Sequence, residues 1–178
     1  MAAKIPTNGL GVDAGLDIAG GNDISTVVGD TDTVTINLSA SRNRTFTKTG
    51  NTDGTYSGDV VYFGGTTSMT VGTIYHYKSD GTWEVTNANA VATCDGLLGV
   101  ALGAASDTNG MLLRGMVTLD HDPGAVGDVL FLSAASNGDA TATAPSGSSD
   151  IVRVIGYCLD ASNGQIWFDP DKTYVEVA

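Results

Sequence analysis

Gly58-Asp59-Val60-Val61-Tyr62-Phe63 returns, with conservative changes, as Gly127-Asp128-Val129-Leu130-Phe131-Leu132. Each string has the make-up of a short strand, a turn-forming Gly-Asp pair followed by β-branched, aliphatic and aromatic residues. Each leads into a Ser/Thr/Gly-rich stretch and then into two more apolar strings in the same order. Behind the first copy stand Gly96-Leu97-Leu98-Gly99-Val100-Ala101-Leu102 and Gly110-Met111-Leu112-Leu113-Arg114-Gly115-Met116-Val117. Behind the second stand Val152-Arg153-Val154-Ile155-Gly156-Tyr157-Cys158-Leu159 and Gly164-Gln165-Ile166-Trp167-Phe168. The repetition defines pseudo-repeats at 58–117 and 127–170, and it places Val60 and Val129 in the core. Two units are too few for a solenoid, which stacks about three or more. Two copies closed on each other bury both apolar faces. The expected fold class is all-β, a small β-barrel or β-sandwich built from an internal duplication and occupying residues 56–178.

Outward from these strings, the first copy carries an extra hairpin. Thr73-Ile74-Tyr75-His76-Tyr77 and Thr82-Trp83-Glu84-Val85 flank an Asp80-Gly81 pair suited to a tight turn with positive φ. Period-two alternation puts Tyr75 and Tyr77 on one face, so with Trp83 this hairpin offers an aromatic surface. Thr86 to Val91 reads as a loop or one helical turn, and no other helix is expected.

Residues 1–55 differ in texture. Leu16-Asp17-Ile18 and the alternating Val34-Thr35-Ile36-Asn37-Leu38 read as strands, with Gly20-Gly21-Asn22-Asp23 and Gly29-Asp30 as turns. Arg42 to Asn51 is polar, with Phe46 its one aromatic. So little apolar content predicts an extended N-terminal β arm that packs on a neighbour, with Arg42, Arg44, Phe46 and Lys48 at the contact. Those four, with Tyr75, Tyr77 and Trp83, form the candidate assembly interface.

Composition supports the class and excludes several functions. Gly occurs 24 times in 178 residues, about twice the usual share. The charge is lopsided, 20 acidic against 8 basic residues, net −12. A nucleic-acid surface needs a Lys/Arg patch to displace counterions, and eight scattered cations scarcely supply one. Neither a nucleic-acid nor a membrane partner is expected, since no apolar run approaches the ~18 residues of a span. The opening Met1-Ala-Ala-Lys-Ile-Pro6 lacks the apolar stretch of a secretory signal, so synthesis in a cytoplasm is expected. Cys94 and Cys158 are far apart and without metal-ligand spacing, which favours free buried thiols over a disulfide.

Catalytic signatures are missing from the sequence. There is no G-x-S-x-G elbow, and Gly9-Leu10-Gly11 lacks the flanking strand and helix that a phosphate loop needs. Asp120-His121-Asp122-Pro123 has the residue types of a metal half-site or acid–base pair, and equally those of a polar turn ending a strand. Asp169/Asp171, Asp13/Asp17 and Asp23/Asp30/Asp32 do not follow the calcium-loop spacing. No cofactor and no metal are expected, and the chain reads as non-enzymatic.

The string Gly127-Asp128-Val129-Leu130-Phe131-Leu132-Ser133, then Asp150-Ile151-Val152-Arg153-Val154-Ile155-Gly156-Tyr157, then Phe168-Asp169-Pro170-Asp171 and Tyr174-Val175-Glu176, resembles a β-domain of tailed-bacteriophage virion proteins. Gly96 to Leu102 followed by Met111-Leu112-Leu113-Arg114-Gly115 fits the same pattern, so the resemblance spans roughly residues 56–177. Asp23-Ile24-Ser25 through Val34-Thr35-Ile36 is similar to connectors in phage tail-fibre chains. The resemblance implies a virion structural protein. Within that resemblance, the modest length without stalk repeats favours a capsid decoration (cement) protein on the outer surface of the head, and the likeness to that class implies a homotrimer bridging capsomers of the major capsid protein lattice. The alternative is a short tail-fibre or adhesin protein that binds a host glycan; a hydrolase on the same scaffold comes third.

Overall fold

The computed structural model describes residues 24–28, 34–38 and 45–178, and the chain divides into two compact units, Met1–Thr45 and Phe46–Ala178. In the first, β1 (Ile24–Val28) and β2 (Val34–Leu38) pair antiparallel, with Ile24 opposite Leu38 and Val28 opposite Val34. The alternation from Val34 to Leu38 thus marks a real strand. Leu16-Asp17-Ile18, Arg42 and Arg44 lie outside the described residues.

The second unit is all-β. Its strands are β3 (Tyr56–Val61), β4 (Ile74–Tyr77), β5 (Trp83–Val85), β6 (Leu98–Ala101), β7 (Met111–Thr118), β8 (Val129–Leu132), β9 (Ala140–Thr141), β10 (Ile151–Val152), β11 (Val154–Asp160), β12 (Gln165–Phe168) and β13 (Val175–Glu176). One antiparallel sheet takes nine of them in the order β5-β4-β6-β7-β12-β11-β8-β9, with β3 paired along β7, while β10 pairs β13 separately. The helical content is small: a 3-10 turn at Val91–Thr93, and one helical turn, α1 (Ser106–Asn109), that the sequence reading did not foresee.

Read inward from its two ends, the sheet has the same plan twice: short edge strand, first, second and third strand, meeting at the β7–β12 pair. The two halves of the sheet thus share a strand order. In that plan, however, the counterpart of β8 is β4, because β8 pairs β11 as β4 pairs β6. The Gly58-Asp59-Val60 string, chosen from its wording as the mate of Gly127-Asp128-Val129, instead forms β3 against β7. Residue identity over six positions cannot report pairing partners, which depend on contacts distant in sequence.

The two ends curl toward each other into a half-barrel. The Ile74 amide donates to the Gly138 carbonyl at 2.9 Å, and the Gly138 amide donates to Thr86 at 2.7 Å. Ala88 donates to Ser133 at 2.9 Å, and Ile151 to Ala88 at 2.7 Å. Gly138 has φ +77°, and a Cβ there would stand 2.0 Å from Thr73 Cγ2, so only glycine lets the turn into this seam. Inside the curl lies the main core, with Ile74, Leu98, Val100, Leu112, Leu119, Leu130, Leu132, Ile155, Ile166 and Phe168 at most 1% exposed. Burying each such side chain contributes on the order of 2 kcal/mol.

Two expectations about the core need correction. Val129 is 39% exposed, because β8 turns Leu130 and Leu132 inward and Val129 and Phe131 outward. Val60 is only partly buried, packed against the core edge. With a period of two, a one-residue shift in register exchanges inside for outside. Cys94 and Cys158 are free and buried; burial pushes the Cys94 thiol up to about 11.

Candidate functional site

The outward side of the sheet carries a row of apolar side chains. Register places Val129 opposite Tyr157, Tyr157 opposite Trp167, and Trp167 opposite Met116, across β8, β11, β12 and β7. Cross-strand neighbours on one face stand ~5 Å apart at Cβ, so these four form a continuous strip. Tyr157 is 49% exposed, and Val126, in the approach to β8, is 68% exposed. Water normally faces polar side chains on the open side of an antiparallel sheet; here a tyrosine and a valine stand in it.

The start of the second unit covers one end of this strip. Phe46 packs edge-on against Trp167, ring centroids 5.2 Å apart at 73°. Arg114 lies over the same indole, 5.5 Å from its centroid, while its Nε pairs with Asp169 at 3.2 Å. Lys48 Nζ pairs with Asp160 Oδ2 at 3.0 Å. The Ser162 amide and then Lys48 hold the Asp160 carboxyl below its usual range. Gln165 Nε2 donates to the carbonyls of Thr49 (2.8 Å) and Gly50 (3.1 Å), and the Thr118 hydroxyl donates to Gly50 at 2.6 Å. Residues 46–51 are thus stitched over β12, and the strip remains open at Tyr157 and Val129.

The structure sorts the sequence-derived interface residues into different places. Phe46 and Lys48 lie at the covered end of the strip. Tyr75, Tyr77 and Trp83 do not form a presented surface. Tyr75 and Trp83 are buried in a second small core with Met69, Ala101 and Met111, with Phe63 and Tyr77 packed against it. The Trp83 indole donates to the Phe63 carbonyl at 2.9 Å, and the Tyr75 hydroxyl accepts from the Thr70 amide at 2.9 Å. The hairpin's aromatic face was legible in sequence, but not the residues from Phe63 to Thr70 that meet it. Conversely, sequence reasoning missed the strip, because Ile166-Trp167-Phe168 is apolar at every position and hides its alternation.

A shallow cleft of about 300 Å³ is lined by Leu97, Leu113, Arg114, Arg153, Lys172 and Tyr174, among others. Its arginines serve the fold: Arg153 is buried and donates to the carbonyls of Asp171 (2.8 Å), Cys94 (2.8 Å) and Gly96 (2.9 Å), and Arg114 is held by Asp169 and Trp167. Ligating side chains converge at Asp120, His121 and Asp139, beyond the end of β7. Among the described residues no helix is long and apolar enough to cross a membrane.

No protein-family model matches the chain, and comparison with curated proteins and with solved structures returns no match.

Proposed function

We propose that this chain is a non-enzymatic structural protein of a bacteriophage particle, acting as a decoration protein that bridges capsomers on the outer face of the head. The observation that carries this reading is the strip Val129–Tyr157–Trp167–Met116, an apolar row left open at Val129 and Tyr157 on a sheet whose core is already filled from the other side. Apolar surface of this kind, centred on a tyrosine and a tryptophan, suits association with another protein surface. The likeness of residues 56–177 to virion β-domains supplies the identity of the partner, the major capsid protein lattice. Its trimeric form rests on the same likeness. A protein that binds only the assembled lattice stabilises that lattice by mass action.

A short tail-fibre role is the second reading, favoured by the exposed Tyr157 ring beside Trp167, which offers the flat surface on which a sugar ring stacks. Tyr75 and Trp83 are buried and contribute nothing to such a surface. Electron microscopy of particles made with and without this protein separates the two. Difference density repeated over the head supports decoration, density confined to the tail supports the fibre, and density on neither overturns both.

A further inference from the structure

We propose that Asp120, His121 and Asp139 bind a zinc-type divalent cation that staples the seam of the half-barrel. Asp120 and His121 lie just past Leu119 at the end of β7, and Asp139 comes from the turn between β8 and β9, so the fold alone brings them together. His121 Nδ1 stands 2.9 Å from Asp120 Oδ1 and 3.6 Å from Asp139 Oδ1, and the three donor atoms lie within 4.8 Å of one another. Donors about 2 Å from a tetrahedral ion lie about 3.3 Å apart, so the set needs only small adjustment to share one ion.

Groups that orient these ligands are already in place. The other Asp120 oxygen, Oδ2, accepts from the Thr73 hydroxyl at 2.9 Å, which leaves Oδ1 toward the imidazole. On the far side of the ring, Ala140 presents both its amide and its carbonyl to His121 Nε2, at 2.9 Å and 3.2 Å. With the proton on Nδ1, Nε2 accepts from the amide and Nδ1 donates to Asp120. With a cation on Nδ1, the proton moves to Nε2 and is donated to the carbonyl. Metal-bound histidines are held in this way by an outer carbonyl or carboxylate. Because the Ala140 amide donates to Nε2 at 2.9 Å, the ring must tilt from that amide toward the Ala140 carbonyl when Nε2 carries the proton.

Chemistry narrows the ion. Two carboxylates neutralise a divalent charge, and imidazole favours zinc over calcium or magnesium, which prefer six or more oxygens. The side chains are 21%, 27% and 32% exposed for His121, Asp120 and Asp139, enough for water to reach the fourth position. Asp139 follows Gly138, whose amide and carbonyl tie the seam, so an ion here joins that end of the curled sheet to the loop after β7, where Asp120 in turn holds Thr73 just ahead of β4.

The test is calorimetric titration of the full chain with zinc chloride after chelator treatment, beside thermal unfolding with and without zinc. One tight equivalent and a raised melting temperature are expected. His121→Gln and Asp139→Asn should each weaken binding at least tenfold, whereas Asp122→Asn, on the exposed neighbouring carboxylate, should not. Circular dichroism of each variant without zinc reports whether it folds. Cobalt in place of zinc should give the visible absorption of a tetrahedral site in the parent protein and lose it in His121→Gln. Failure of zinc to bind, or binding unchanged by both ligand substitutions in folded variants, overturns the proposal.

Discussion

Gly156 sits where β11 takes an irregular step against β8, between Val154 and Gly156. Its φ is +150°, and a Cβ would meet the Trp167 carbonyl oxygen at 1.7 Å, with backbone rather than a yielding side chain in the way. Gly156→Ala should therefore lose about 3 kcal/mol or more of stability by urea unfolding, well beyond an ordinary glycine-to-alanine change. Its neighbours across the pair test the inside–outside assignment. Leu130→Ala should cost about 2–5 kcal/mol, and Val129→Ala well under 1 kcal/mol, because only Leu130 leaves a cavity. Equal losses at the two positions would mean that the register of β8 is misplaced. Arg153 is a third decisive residue: removing its guanidinium strands three carbonyls at once. Arg153→Met should cost about 3 kcal/mol on the same assay.

Strands β4 and β5 carry a buried titratable group between them. His76 is 1% exposed, opposite Glu84 on β5 and Leu98 on β6. Among the described residues neither ring nitrogen has a hydrogen-bond partner; Glu84 stands 3.7 Å from Nε2 and Asp95 3.7 Å from Nδ1, with Lys78 near Glu84. Burial is the largest influence and lowers its pKa below the ordinary 6.5, outweighing the pull of the two carboxylates. The fold thus prefers the neutral ring. Its contribution is full above the unfolded value near 6.5 and is lost as the pH falls from there through the lower folded value. Stability measured by urea unfolding should fall between pH 7 and pH 5 more steeply in the parent than in His76→Leu. Parallel pH curves would show that the ring does not charge on unfolding. At the same scale, residues 46–51 act as a strap across β12. Phe46→Ala should expose Trp167, read as a red shift of its fluorescence and a loss of about 1–2 kcal/mol.

At the scale of the molecule, the second unit has its own core and the seam that closes it, so deletion of residues 1–45 should leave a soluble protein with one cooperative unfolding transition. Assembly makes a separate demand. Changing Tyr157 to Ala together with Val129 to Ser should reduce binding to capsids by tenfold or more in a sedimentation assay. It should do so with little change in melting temperature, because both side chains are already half in water. Undiminished capsid binding by this double variant would remove the strip from the interface.

Composition and periodicity were sufficient for the all-β class and for most strands, because Val/Ile/Leu runs between Gly-Asp and Asp-Gly pairs constrain the backbone locally. They also located the hairpin turn at Asp80-Gly81, where Gly81 has φ +84°. Tertiary structure decided everything that depends on who faces whom. It made β4 rather than β3 the counterpart of β8, put Val129 outside and Leu130 inside, and buried Tyr75 and Trp83 against residues 63–70. It also drew Asp139 to Asp120 and His121 across a gap of eighteen positions. Strand formation is a local preference of the chain. Pairing, register and convergence are settled by contacts between residues that the sequence keeps far apart.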